Sequence, residues 1–83
     1  MLKFKEWNKI LDYADVVCRE LSENGYDVKA KQYSMYDGRK GVYLIVCDRD
    51  GKEFQRYASG IHDTVEMFKR YIDMNKRRIM TEC

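Results

Sequence analysis

The hydrophobic repeat of this chain changes twice, at Asn24-Gly25 and at Ser59-Gly60, and both changes constrain the fold more than any single motif does. Phe4, Trp7, Leu11, Ala14, Cys18 and Leu21 recur at alternating three- and four-residue steps, with Ile10 and Val17 widening the stripe. An α-helix turns once in about 3.6 residues, so this spacing predicts an amphipathic helix of about five turns with one apolar face. Asn24-Gly25 ends it, because glycine adopts the left-handed conformation of a helix cap at little cost.

From Tyr26 the period drops to two. Tyr26, Val28 and Ala30 point one way and Asp27, Lys29 and Lys31 the other, as in a half-buried strand. Tyr36 to Gly41 reads as a loop with two glycines, and Val42 to Cys47 is the most apolar run, the expected central strand. Asp48 to Lys52 contains the Asp-Gly pair favoured in tight hairpin turns, and Glu53 to Ala58 returns as a third strand. Beyond Ser59-Gly60 the helical period resumes with Ile61, Val65, Phe68, Ile72 and Ile79. Asp63 is the expected cap, with Glu66 three residues on as in a capping box. The helix is expected to run into Lys76-Arg77-Arg78, whose charge suits a helix carboxyl end.

With no proline, linker or repeat, residues 1–83 read as a single α+β domain. Its order is α-β-β-β-α, a three-stranded antiparallel sheet with two helices packed on one face. The inward sheet residues are then Val28, Ala30, Val42, Leu44, Val46, Phe54 and Ala58, with Arg56 in the same register and its head kept in water at an edge. The opposite face carries Lys29, Lys31, Tyr33, Tyr43, Ile45, Cys47, Gln55 and Tyr57. Two helices cannot cover both faces, so this second face is an aromatic patch with a basic rim and nothing over it.

Composition narrows the chemistry. Eighty-three residues leave little room for a deep cleft. No glycine-rich phosphate loop, paired-carboxylate motif or nucleophile elbow is present. His62 beside Asp63 has no nucleophile or second histidine at a motif spacing and reads as a loop residue at a helix start. An enzyme is not expected, nor any cofactor. Cys18, Cys47 and Cys83 are an odd set without metal-ligand spacing, which points to a reducing cytoplasm and no metal site. No stretch approaches the ~18 apolar residues of a membrane span, so no membrane partner is expected. Net charge is only +2, but it is uneven. Residues 1–28 hold four Lys/Arg against six Asp/Glu, and residues 29–59 hold seven against four. That asymmetry can orient a charged partner.

Two surfaces are candidates for binding a macromolecule. Tyr33, Tyr43 and Tyr57 interleaved with Lys29 and Lys31 can stack on bases and neutralise phosphates, supply rigid contact area to a protein, or make a homodimer. The projecting turn at Asp50, Gly51, Lys52 and Glu53 can insert into a partner's groove. Lys76-Arg77-Arg78 is a weaker phosphate candidate.

The order of elements resembles the double-stranded RNA-binding domain, which implies nucleic acid as an alternative partner. That family's first hairpin loop carries a Gly-Pro-x-His-like motif and its last helix opens with lysines. Here the loop is Asp37-Gly38-Arg39-Lys40-Gly41 and the last helix opens with Asp63 and Glu66. A second resemblance rests on Tyr26, Val28 and Lys29 opening the first strand and on an apolar second strand ending before Asp50-Gly51. Glu53-Phe54 and then Val65, Glu66 and Phe68 continue it. Over roughly half the chain these residues resemble the small phage-encoded anti-CRISPR inhibitors of Cas9 with this order of elements. That resemblance implies a protein partner, a CRISPR nuclease effector, met in the cytoplasm of a bacterial host, with contact at Asp50, Gly51, Lys52 and Glu53. One member of that family is strongly acidic and mimics DNA; this near-neutral chain carries Lys76-Arg77-Arg78 near its carboxyl end, which speaks against DNA mimicry and leaves inhibition by blocking another surface open.

Overall fold

The computed structural model describes residues 2–82, so Met1 and Cys83 lie outside the described residues. The elements run α1 (Phe4–Glu23), β1 (Val28–Ser34), β2 (Lys40–Cys47), β3 (Glu53–Ala58) and α2 (Val65–Glu82). The strands form one antiparallel sheet in the order β1-β2-β3. Both helices pack on the same face, burying Trp7, Ile10, Ala14, Val17 and Leu21 of α1 and Phe68, Ile72 and Ile79 of α2. Against them lie Val28, Val42, Leu44, Val46 and Tyr57 of the sheet.

The expected helix stripe is rotated slightly. Ile10 and Val17 lie at its centre, Leu11 is partly buried, and Phe4 is 77% exposed in the first turn. The α1 carboxyl end closes as a Schellman motif: Tyr26 N–H donates to the Leu21 carbonyl at 3.0 Å and Gly25 N–H to the Ser22 carbonyl at 3.0 Å. Gly25 supplies the required positive φ of 89°. At the start of α2 the expected cap is corrected by one residue. Thr64, not Asp63, caps the helix, its Oγ1 accepting the Met67 N–H at 3.2 Å. Glu66 is therefore one position short of a reciprocal box.

Both hairpin turns have the same build. Gly38 N–H donates to the Met35 carbonyl at 3.0 Å and Met35 N–H to the Arg39 carbonyl at 2.8 Å. In the second turn, Gly51 N–H donates to the Asp48 carbonyl at 3.0 Å and Asp48 N–H to the Lys52 carbonyl at 2.8 Å. Gly38 and Gly51 carry positive φ, the three-residue loop that ends on a left-handed glycine.

The third strand departs from expectation. Its pairing with β2 runs Tyr43↔Ala58, Leu44↔Tyr57, Ile45↔Arg56 and Val46↔Gln55, then Cys47↔Glu53. Phe54 is the extra residue of a bulge, and one extra residue moves every later side chain to the other face. Tyr57, expected on the open face, is in the core at 3% exposure, its hydroxyl donating to Glu82 Oε2 at 2.9 Å. Gln55 shares its inward register. Phe54, expected inward, is 69% exposed, and Ala58 and Arg56 take the open face. The shift has a clear energetic gain: an unbulged register would set the Arg56 guanidinium opposite Leu44 among the core residues.

Candidate functional site

The open face is built around the middle of β2. Register puts Lys29 opposite Ile45, Lys31 opposite Tyr43 and Tyr33 opposite Gly41 on one side, with Ala58 and Arg56 on the other. Tyr33 lies flat over Gly41: a Cβ there would meet the Tyr33 ring at 2.3 Å, so only glycine admits this packing. Tyr33 and Tyr43 have ring centroids 4.4 Å apart at 32°, and the Arg56 guanidinium carbon lies 5.2 Å from the Tyr43 centroid. Burial, then the neighbouring Tyr43, pushes the Tyr33 hydroxyl pKa up. Arg56 Nε donates to Glu53 Oε2 at 2.5 Å. That bond first, then the charges of Arg56 and Lys31, holds the Glu53 carboxyl below its ordinary range. Ile45, although on this face, is only 8% exposed. The stems of its neighbours Lys29 and Arg56 are long enough to shield it. The face is thus partly closed by its own side chains, a ring pair capped by an ion pair rather than a bare tyrosine platform.

The second predicted surface, the β2–β3 tip, is exposed from Asp48 to Arg56. Asp48 Oδ1 accepts the backbone N–H groups of Asp50 and Lys52, both at 2.9 Å, which fixes the turn from within. Asp50, Gly51 and Lys52 project at the tip, and exposed Phe54 stands beside Glu53 at the bulge. Glu53, through Arg56, joins this tip to the tyrosine face. Of the predicted residues, the structure brings together Lys29, Lys31, Tyr33 and Tyr43, with Asp50, Gly51, Lys52 and Glu53 at one end of the same sheet. It removes Tyr57. Arg56 and Phe54 join in its place, and the signal that could have found them is the charged Arg56 sitting in an inward register.

Of the remaining candidates, Lys76, Arg78 and His62 have internal partners. Lys76 donates to Glu20 across the helices, and Arg78 pairs with Glu82 at 3.5 Å and lies 5.0 Å from the Tyr57 ring centroid. The His62 ring stacks on Tyr71 at 4.3 Å and meets Phe68 edge-on at 5.1 Å, and its Nε2–H donates to the Ser59 carbonyl. Cys18 is buried, which pushes its thiol pKa up to about 11, and Cys47 is half-buried; among the described residues neither forms a disulfide. Among the described residues no three His, Cys, Asp or Glu side chains cluster closely enough to hold a metal ion. No described helix is long and apolar enough to cross a membrane. Comparison with protein families, with characterised proteins and with solved structures finds no match to this chain.

Proposed function

We propose that this is a non-enzymatic binding protein that acts through its β2–β3 hairpin, as a stoichiometric inhibitor of a nuclease effector of the anti-CRISPR type, in the cytoplasm of a bacterial host. The observation that carries the reading is the hairpin tip: a turn rigidified by Asp48, with an aromatic side chain left 69% exposed beside it. Interface energy concentrates in a few well-placed aromatic and arginine side chains, and a pre-ordered loop loses little entropy on docking. Phe54 is the anchor, Asp50, Lys52 and Glu53 provide the polar rim, and Tyr33, Tyr43 and Arg56 extend the contact along the sheet. The anti-CRISPR assignment rests on the resemblance of the strand and hairpin residues to that family.

The test is a plasmid-interference assay against a panel of CRISPR systems, with co-purification from the same cells. The reading expects interference to be suppressed in at least one system and its nuclease effector to co-purify. Full interference throughout, with no co-purifying nuclease, would overturn it.

A nucleic-acid reading has one observation in its favour: Lys29 and Lys31 are exposed on the open face and neither is within ion-pair distance of a carboxylate among the described residues. It expects oligonucleotide binding that weakens steeply with salt and with Lys31→Ala. Stacking of a base on Tyr43 would first have to displace Arg56, so the protein partner is the better fit.

A further inference from the structure

A concavity lies at the other end of β2 from the hairpin tip, where the start of α1, the β1–β2 turn and the segment leading into α2 meet. It is a cleft of about 430 Å³. That volume falls within the ~300–1,000 Å³ usual for small-molecule sites. One part of its lining is apolar: Phe4, Trp7 and Ile61. The other part is cationic, Arg39 and Lys40.

Each wall is held in place. Trp7 is fixed by its Nε1–H, which donates to Gln32 Oε1 at 2.9 Å, and by edge contact with Phe68 at 5.5 Å between ring centroids. Arg39 Nε is held by Asp37 Oδ2 at 2.7 Å, which neutralises much of its charge. Lys40 is different. Its Nζ stands 5.7 Å from the Trp7 ring centroid, and no carboxylate lies within ion-pair distance of it among the described residues. An ammonium held over an aromatic floor, beside an exposed phenylalanine, leaves both an apolar surface and a positive charge unsatisfied at one place. Asp63, also in the lining, opposes that charge.

We propose that this cleft binds a small hydrophobic anion: an aromatic or aliphatic group bearing a carboxylate, sulfonate or phosphate. The apolar part packs on Phe4, Trp7 and Ile61, and the anionic group meets Lys40. The site is separate from the hairpin surface, and neither proposal depends on the other.

The probe is 8-anilinonaphthalene-1-sulfonate, an anionic aromatic dye, and the chain's single tryptophan, Trp7, reports on it from within the cleft. The folded protein is expected to bind one dye saturably, with Trp7 emission quenched by transfer to the dye. Phe4→Ala and Lys40→Glu should each weaken binding by roughly tenfold, and Asp63→Asn should strengthen it. Uncharged N-phenyl-1-naphthylamine should bind Lys40→Glu as well as it binds wild type. Phe4 and Lys40 are exposed, so both variants should keep the wild-type circular dichroism and melting temperature. Absence of saturable binding, or binding unchanged by Phe4→Ala, would overturn the site. Binding lost with Phe4→Ala but unchanged by Lys40→Glu would overturn the anion.

Discussion

Gly41 and Asn75 are the two residues whose replacement says most about local packing. A strand glycine loses entropy and packs nothing; here the Tyr33 ring fills the space a side chain would take. Gly41→Ala puts a methyl into that ring and is expected to cost about 1–3 kcal/mol. In a Tyr33→Ala background the same change should be nearly neutral, and a double-mutant cycle by urea denaturation measures the coupling. Asn75 is 5% exposed on α2, and its Nδ2 has no hydrogen-bond partner among the described residues. A buried unpaired donor costs about 1–3 kcal/mol. Asn75→Leu is therefore expected to raise the melting temperature, by about 4–8 °C for each 1 kcal/mol gained. A lower melting temperature would mean that the amide does have a partner in solution.

At the scale of elements, α1 and α2 are joined by a polar seam beside the apolar one. Tyr13 Oη donates to Asp73 Oδ1 at 2.5 Å, and Lys76 donates to Glu20. The Asp73 hydrogen bond first, then burial and nearby carboxylates, raises the Tyr13 pKa from 10.0 to about 12. A raised folded-state pKa means that this contribution is complete below pH 10.0 and is lost as pH climbs through about 12. Tyr13→Phe should thus destabilise the wild type at neutral pH, by about 1.5–3 kcal/mol for a bond to a charged acceptor. The gap between wild type and variant should close over that alkaline window in melting curves taken at several pH values.

The elements themselves were legible because each rests on a local signal: the stripe from Trp7 to Leu21, the Gly25 cap, the apolar run from Val42 to Cys47. The faces of β1 and β2 were legible from the alternation of Val28 and Ala30 against Lys29 and Lys31, which the pairing of Val28 with Val46 and Ala30 with Leu44 carries across to β2. The β3 face was not. Its six residues alternate Phe54, Arg56 and Ala58 against Glu53, Gln55 and Tyr57 with no decisive hydrophobic contrast. The bulge that settles the choice is a tertiary matter, decided by whether Arg56 or Tyr57 is worth burying against two helices. The cleft beside Trp7 was illegible for a related reason. It is assembled from three segments distant in sequence, around a phenylalanine that the helical period assigns to the core.

For the whole molecule, the covered face of the sheet supplies stability and the rest is available for contact. The open face and the β2–β3 tip form one continuous surface through the Glu53–Arg56 pair, and the cleft by Lys40 stands at the far end. Variants of the two regions should separate. Phe54→Ala should leave the melting temperature within a few degrees of wild type, because the side chain is already solvent-exposed. As an interface anchor, its loss should cost about 2 kcal/mol or more of partner affinity. Lys40→Glu should leave partner affinity unchanged. The role of the hairpin is measured by plasmid interference with wild type, Phe54→Ala combined with Asp50→Ala, and Lys40→Glu expressed side by side. Wild type and Lys40→Glu should suppress interference in a susceptible system while the hairpin variant, equally folded and abundant, does not. A hairpin variant that inhibits as well as wild type would contradict that role.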